Sequence, residues 1–318
     1  MITPYSDNGV LASTYTTGEF QQLHLPGLSW DEDRLLNHLL QQLWDRTPRN
    51  LLRASYYDGR RAAVKATTGV IPPQYYSLGL TLGWSAKAVD VLAQRTNVDR
   101  FVWPDGDLGS LGFTDVWESN YFWAESNAAF VAALIHGVAF LVNTQGDSGE
   151  PSSLIHVKDA MTATGDFNQR TRQMDNLLSI HAWDDNGIPN QLTLYLDGET
   201  ITAVRDSSGW SVDRLFHNFG VPVEALPYKP SPRRPFGYSR ISRPVMSIHD
   251  QAIRTLIRME GHADIFSYPE MWMLGADEKI FRNADGSLKP SWQIMLGRIK
   301  GVPDDPEADP ALARADIQ

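Results

Sequence analysis

Between Tyr228 and Met259 stand seven basic residues (Lys229, Arg233, Arg234, Arg240, Arg243, Arg254 and Arg258) and a single acidic one, Asp250. The whole chain carries 28 Lys and Arg against 38 Asp and Glu, a formal net charge of -10, so this stretch reverses the local sign. A row of guanidinium groups can track the phosphates of nucleic acid. The same residues also suit a solvated face, or ion pairs with acidic residues of a neighbouring subunit. A second constellation is acidic. Glu118 and Glu125 lie seven residues apart among Trp117, Tyr121 and Trp123. Two carboxylates beside aromatic platforms are the raw material of glycoside hydrolysis, and the same spacing describes the edge of an amphipathic helix.

Other chemistries lack their residues. There is no glycine loop ending in Lys and Ser/Thr to cradle a triphosphate, and Gly106–Gly112 reads as a plain loop. Gly237-Tyr238-Ser239 is followed by Arg240-Ile241, so the second glycine of a nucleophile elbow is missing. The eight His are scattered without the i, i+4 pairing of a metalloprotease, and His136, on an apolar helix face, reads as a hydrogen-bonded core residue. The chain has no Cys, which removes disulfides, thiol catalysis and Cys-based zinc sites. No catalytic residue, cofactor or metal is expected.

The elements that position the basic stretch can be read from periodicity. Ser29 and Glu32 form a capping box ahead of Leu35, Leu36, Leu39, Leu40, Leu43 and Trp44 at helical spacing. Pro48 is expected to interrupt that helix, with a second running from about Asn50 to Tyr57 and ending at Asp58-Gly59. Further helices are expected over Trp84 to Arg95 and over most of Phe113 to Phe140, the latter stopped by Gly137 before a buried strand, Val138 to Val142. From about 150 to 226 the period changes to that of strands. Leu154–Val157, Leu177–Ile180, Leu192–Leu196 and Thr200–Val204 are separated by turn residues, and Asp197-Gly198 is a hairpin signal. Helices followed by a meander give an α+β domain with an antiparallel sheet.

Pro227, Pro230, Pro232 and Pro235, approached through Pro222, make a stiff connector over residues 226–236. One long helix is then expected from about Ser239 to Ser267. With Ile241 at 0°, Val245, Ile248, Ala252, Leu256, Met259, Ala263 and Phe266 fall within about 60° of it. Arg240, Arg243, Arg254 and Arg258 fall at roughly 200–260°, on the opposite face. Such a helix is roughly 40 Å long and suits lengthwise packing against neighbours. The last fifty residues are turn-rich and include the acidic stretch 304–310.

No apolar run is long enough to cross a bilayer. The first residues have neither the basic nor the apolar region of a signal peptide, so a protein made and kept inside a cell is expected.

Several stretches together resemble phage portal proteins of the long-tailed phages, the SPP1-like group. They are Leu52-Arg53-Ala54-Ser55-Tyr56-Tyr57-Asp58-Gly59, Leu82–Ala93, Val98-Asp99-Arg100-Phe101, Trp117-Glu118-Ser119-Asn120, Ala132–Phe140, Gly220-Val221-Pro222-Val223 and Phe236-Gly237-Tyr238-Ser239-Arg240-Ile241. Each is a short helix or turn pattern, and their order over residues 50–270 carries the resemblance.

The resemblance implies a portal fold: a wing over residues 1–226, a connector and stem helix over 227–268, and a partial clip over 269–318. It implies that a second stem helix, a tunnel loop and a crown follow. The sequence stops at Ala315-Asp316-Ile317-Gln318, so a C-terminally shortened portal protein is expected. The implied role is structural: a ring of about twelve copies at one capsid vertex, with cyclic symmetry. DNA is packaged and ejected through such a ring, passing weakly and without sequence preference. The implied partners are the terminase large subunit, the head-tail adaptor, and the major capsid and scaffold proteins, with no membrane. The implied location is the virion, with the host cytoplasm during assembly. The DNA-channel or intersubunit candidates are Arg240, Arg243, Arg254 and Arg258. The stem-packing candidates are Ile241, Val245, Ile248, Ala252, Leu256 and Met259. Two other readings stay open on the residues alone: a carbohydrate-active or other virion-associated enzyme using Glu118 and Glu125, and a capsid adaptor or scaffold without a channel.

Overall fold

A computed structural model of the chain describes residues 20–59, 81–104, 106–146, 148–184, 187–266, 270–274, 282–283, 285–287, 299–302 and 311–315. The arm expected over residues 1–28 is thus described only from Phe20, and the acidic stretch 304–310 lies outside the described residues. The chain forms two compact units, Met1–Arg61 with Gly83–Met246, and Ala62–Leu82 with Ser247–Gln318. Both helices and antiparallel strands are present, an α+β architecture.

The first unit opens with α1 (Trp30–Tyr57). Its capping box is complete. The Ser29 N–H donates to Glu32 Oε2 at 2.7 Å, and the Glu32 N–H donates to Ser29 Oγ at 3.3 Å. Asp31, Glu32 and Asp33 place negative charge on the positive end of the helix dipole.

Pro48 does not split this helix, contrary to the sequence expectation. A mid-helix proline costs about 3 kcal/mol, so packing on both sides must exceed that. Upstream, Leu36, Leu39, Leu40 and Leu43 are buried against the main sheet. Downstream, Tyr56 is buried in a second cluster and Asn50 Nδ2 donates to the Ala160 carbonyl at 2.8 Å. The Thr47 hydroxyl also donates to the Leu43 carbonyl at 2.7 Å, next to the disturbed turn.

The remaining helices are α2 (Trp84–Ala93), α3 (Phe113–Ser119) and α4 (Phe122–His136). The single helix expected over most of 113–140 is therefore broken. Tyr121 takes φ 48°, and Asn120 uses its side-chain amide elsewhere. Its Nδ2 donates to the Ser153 carbonyl and its Oδ1 accepts from the Ile155 N–H, both at 2.8 Å. The break thus satisfies backbone groups of the following strand that would otherwise lack partners.

The strands are β1 (Val138–Gln145), β2 (Ser153–Asp159), β3 (Ala163–Thr164), β4 (Phe167–Asn168), β5 (Gln173–Met174), β6 (Leu177–Trp183), β7 (Pro189–Leu196), β8 (Glu199–Asp206), β9 (Gly209–Phe216) and β10 (Val223–Pro227). They form a sheet ordered β10-β1-β2, a five-stranded sheet ordered β3-β6-β7-β8-β9, and the small β4-β5 pair. The Asp197-Gly198 hairpin is present, with Gly198 at φ 74° joining β7 to β8.

Period-2 alternation explains how the large sheet is used. Leu178, Ile180, Leu192, Leu194, Ile201 and Ala203 face α1. The intervening Ser179, Thr193, Thr202 and Asp213 line up across β6, β7, β8 and β9 on the other face.

Arg214 on β9 ties this sheet to the start of α1. It meets Glu32 at 2.7 Å and Glu199 at 2.6 Å, and donates to the Gly27 carbonyl at 2.8 Å. Its hydrogen bond holds the Glu32 carboxyl down at about 2, helped by Ser29 and opposed by burial. A carboxyl depressed on folding contributes stability that is full above its unfolded value, near 4.5, and is lost as pH falls toward 2. Arg214→Met is expected to destabilise the unit by about 2 kcal/mol at pH 7, because it strands two carboxylates. The gap from the parent should close between about pH 5 and pH 2.5. Urea unfolding across that range checks it, and a gap independent of pH would remove the carboxylates from the explanation.

The long helix, α5, is Arg243–Phe266, four residues shorter at its start than the sequence suggested. Residues 239–241 are occupied otherwise. The Ser239 hydroxyl donates to the Ile135 carbonyl, the Arg240 N–H donates to the Leu134 carbonyl at 2.7 Å, and the Ile241 N–H donates to Ser239 Oγ at 3.0 Å. These bonds fasten the connector to the last turn of α4, and the helix begins only after them. Pro244 then sits in the first turn, where its missing N–H costs nothing. In the second unit, β11 (Glu270–Leu274) pairs in parallel with β12 (Ile299–Val302) and antiparallel with β13 (Ala311–Ala315).

Candidate functional site

Ile241 precedes α5 and is buried in the first unit with Tyr56, Val89, Ala93, Leu134 and Ile135. Among the α5 side chains described, over residues 243–263, those buried within the chain are His249, Ile253 and Ile257, at 1% exposure each. Ile248 and Met259 are 56% and 60% exposed, and Val245, Ala252 and Leu256 are half-buried. The stripe read from periodicity therefore lies roughly 100° round the helix from the stripe that the chain itself buries. The helix carries two apolar stripes, and the described part of the chain leaves one largely open.

The arginines divide between the units. Arg240 is exposed, with Nε 3.4 Å from the Ala88 carbonyl, in a shallow cavity with Trp84, Lys87, Val91 and Arg95. Arg243 and Arg258 are exposed and Arg254 is half-buried.

The carboxylate pair is not brought onto one helix face. Glu118 is on α3 and Glu125 on α4, either side of the break at Asn120-Tyr121. Glu118 is exposed and Glu125 half-buried. Trp117 instead packs with Phe101, Phe113 and Phe122, at ring centroid distances of 5.7, 6.1 and 4.8 Å. Trp123 is left 67% exposed. Among the described residues no group of three or more His, Cys, Asp or Glu is placed to hold a metal ion. No described helix is long and apolar enough to cross a membrane.

A different basic site emerges in the first unit. Arg46, Arg49 and Arg53 recur at i, i+3 and i+7 on α1 and so share a face. In the connector, reciprocal backbone bonds between Ser231 and Arg234, at 3.1 and 2.8 Å, close a turn that carries Arg233 and Arg234. All five arginines line one cavity of about 490 Å³, with His136, Val138, Ala160 and Phe167 among its other walls.

Several contacts fix the guanidinium groups. Arg53 Nη1 donates to the His136 carbonyl at 2.5 Å. Arg46 stands 5.8 Å over the Phe236 ring, and Arg234 stands 4.8 Å over Tyr238. Burial lowers the Arg53 guanidinium to about 10, with Arg49 and Arg234 adding repulsion. Burial also lowers Arg46, where Asp166 opposes it. Among the described residues, none of the five has a carboxylate within 4.0 Å. Asp166, the carboxylate in the lining, accepts instead from Asn176 Nδ2 at 3.1 Å and lies 3.6 Å from His38.

His136 is buried, as its apolar helix face implied, but it is not fully hydrogen-bonded: its Nδ1 has no partner. Burial first, and Arg53 after it, hold its imidazole down at about 4, so it is neutral at pH 7. The sequence already showed Arg233 and Arg234 as basic. Their convergence with Arg46, Arg49 and Arg53 depends on a turn about 180 residues further along the chain, which spacing alone does not reveal.

The family model described as "Phage portal protein, SPP1 Gp6-like" matches residues 36–309. The portal protein of Mycobacterium phage L5 is 25% identical over 262 residues, covering 79% of this chain and 54% of that protein. The portal protein of Mycobacterium phage D29 is 26% identical over 231 residues, covering 70% and 47%. The chain spans about half the length of these curated relatives. The family match takes in all but the first six residues of α1, the helices α2 to α4, the strands β1 to β10, the arginine-bearing connector and α5. On that match the chain belongs to the phage portal protein family.

Proposed function

We propose that the chain is a structural subunit of the homo-oligomeric ring at one vertex of a phage capsid, through which DNA is packaged and ejected. The observation that carries this reading is the portal-family match over residues 36–309. The work is mechanical. The ring seats the packaging motor, and ATP hydrolysis belongs to the terminase large subunit. The head-tail adaptor docks later, and the major capsid and scaffold proteins surround the ring during assembly in the host cytoplasm. DNA passes without sequence readout, which suits a net-acidic chain, because tight phosphate binding along the path would arrest sliding.

Within this reading residues 1–226 are the wing, residues 227–268 are the connector and first stem helix, which contains α5, and residues 269–318 belong to the clip. Val245, Ile248, Ala252, Leu256 and Met259 face neighbouring stem helices. Their partial exposure in one chain supports that role, since an apolar stripe left open on a long helix asks for a partner. Arg254 and Arg258 lie toward the DNA path or a neighbouring subunit. Replacing both with Ser is expected to lower DNA packaging about tenfold while rings still form, because each lost phosphate contact weakens a screened, additive attraction. A packaging assay with purified heads and terminase reads this. Normal packaging would make the two arginines a solvated face. The reading as a whole is tested by electron microscopy of the purified chain, where a ring with a DNA-sized opening is expected and a compact particle without one counts against it.

A further inference from the structure

We infer that the arginine-lined cavity of the first unit is a binding site for a multivalent phosphoanion. The inference does not depend on ring formation or on the path of DNA. Five guanidinium groups face a single carboxylate, and that carboxylate is already engaged by Asn176 and His38. A protein that gathers like charges without counter-ions loses folding free energy, and Arg49 and Arg234 both repel Arg53 here. Such a cluster is explained when an anion completes it.

The charge balance selects the class of ligand. A lone carboxylate or chloride would leave a surplus of about three positive charges; a di- or triphosphate neutralises most of them. Its oxygens match the paired N–H groups of planar guanidinium forks. The cavity, about 490 Å³, falls within the range typical of small-molecule sites.

Phosphate oxygens can come from a free polyphosphate or from a nucleic-acid backbone. Shape favours the free form: the five arginines line a concave space of about 490 Å³ in which Arg53 is half-buried, whereas a duplex would meet only the exposed Arg46, Arg49, Arg233 and Arg234.

The test uses pyrophosphate as the probe, on the full chain at fixed ionic strength, by titration calorimetry and thermal unfolding. One site per chain is expected, with an upward shift of the melting temperature. Arg49→Ser with Arg234→Ser should weaken binding at least tenfold. The same pair of changes should leave the unliganded chain as stable as the parent or raise its melting temperature by about 1–2 °C, since repulsion is relieved. A purely structural role for these arginines would lower it. A charge-matched control, Arg34→Ser with Arg100→Ser outside the cavity, should bind like the parent. Failure of a short DNA duplex to displace pyrophosphate assigns the site to free phosphoanions; displacement assigns it to the DNA backbone. No binding at millimolar pyrophosphate, or equal weakening by the control pair, would overturn the inference.

Discussion

Gly237→Ala is expected to destabilise the first unit by about 3 kcal/mol or more, the size of effect that backbone overlap produces. Gly237 has φ 70°, where a side chain is already disfavoured. A Cβ there would also run into the Tyr228 carbonyl oxygen and come within 3.0 Å of the Gly137 carbonyl oxygen. Neither neighbour can yield cheaply. The Tyr228 oxygen accepts from the Tyr238 N–H at 2.8 Å, and the Gly137 oxygen accepts from the Tyr228 N–H at 2.8 Å. These bonds hold the connector against the junction of α4 and β1, so the damage should reach both. Gly261→Ala on α5 is the natural control, because a Cβ there meets nothing within 4 Å. It should be neutral or stabilise by about 1 kcal/mol, the usual helix preference for Ala. Thermal or urea unfolding of the two variants distinguishes them. Equal melting of Gly237→Ala and the parent would mean that the connector can shift as a body.

Leu256→Asp is expected to abolish ring assembly while the first unit stays folded. Leu256 is half-buried on the stripe shared with Val245, Ile248, Ala252 and Met259. A carboxylate introduced there can still reach water in a single chain. Against an apolar neighbour it would have to be desolvated without a partner, at several kcal/mol for each of the repeated interfaces. Ile257→Asp, one residue on, has a different expected outcome. Ile257 is 1% exposed within the chain, so the change should unfold its surroundings before assembly is reached. Size-exclusion chromatography with far-UV circular dichroism separates the two results. Intact rings from Leu256→Asp would remove that stripe from the interface.

Much of this architecture was legible in residue spacing. The capping box at Ser29 and Glu32, the Asp197-Gly198 hairpin and the runs that became β1, β2, β6, β7 and β8 follow from local rules that the tertiary fold respects. Departures came where distant contacts outweighed local preference. Pro48 stays helical because the sheet and Ala160 grip α1 on both sides. The helix around Asn120 breaks because its amide serves β2, and α5 starts late because Ser239 and Arg240 bond to the end of α4. β9 was less visible, since its apolar Trp210 and Val212 alternate with charged and polar residues. The basic site was half legible. Spacing put Arg53 on the helix expected from about Asn50, but the break expected at Pro48 separated it from Arg46 and Arg49; the turn that adds Arg233 and Arg234 exists only once the connector is pinned to Gly137.

The measurement that bears most directly on the ring-forming role is the mass of the purified chain in solution, by mass photometry with negative-stain microscopy of the same sample. About twelve copies of a 35.6 kDa chain give a particle of roughly 430 kDa with cyclic symmetry and a central opening. A population near the single-chain mass at micromolar concentration, with no larger symmetric particle, would contradict a subunit that carries its own ring-forming contacts.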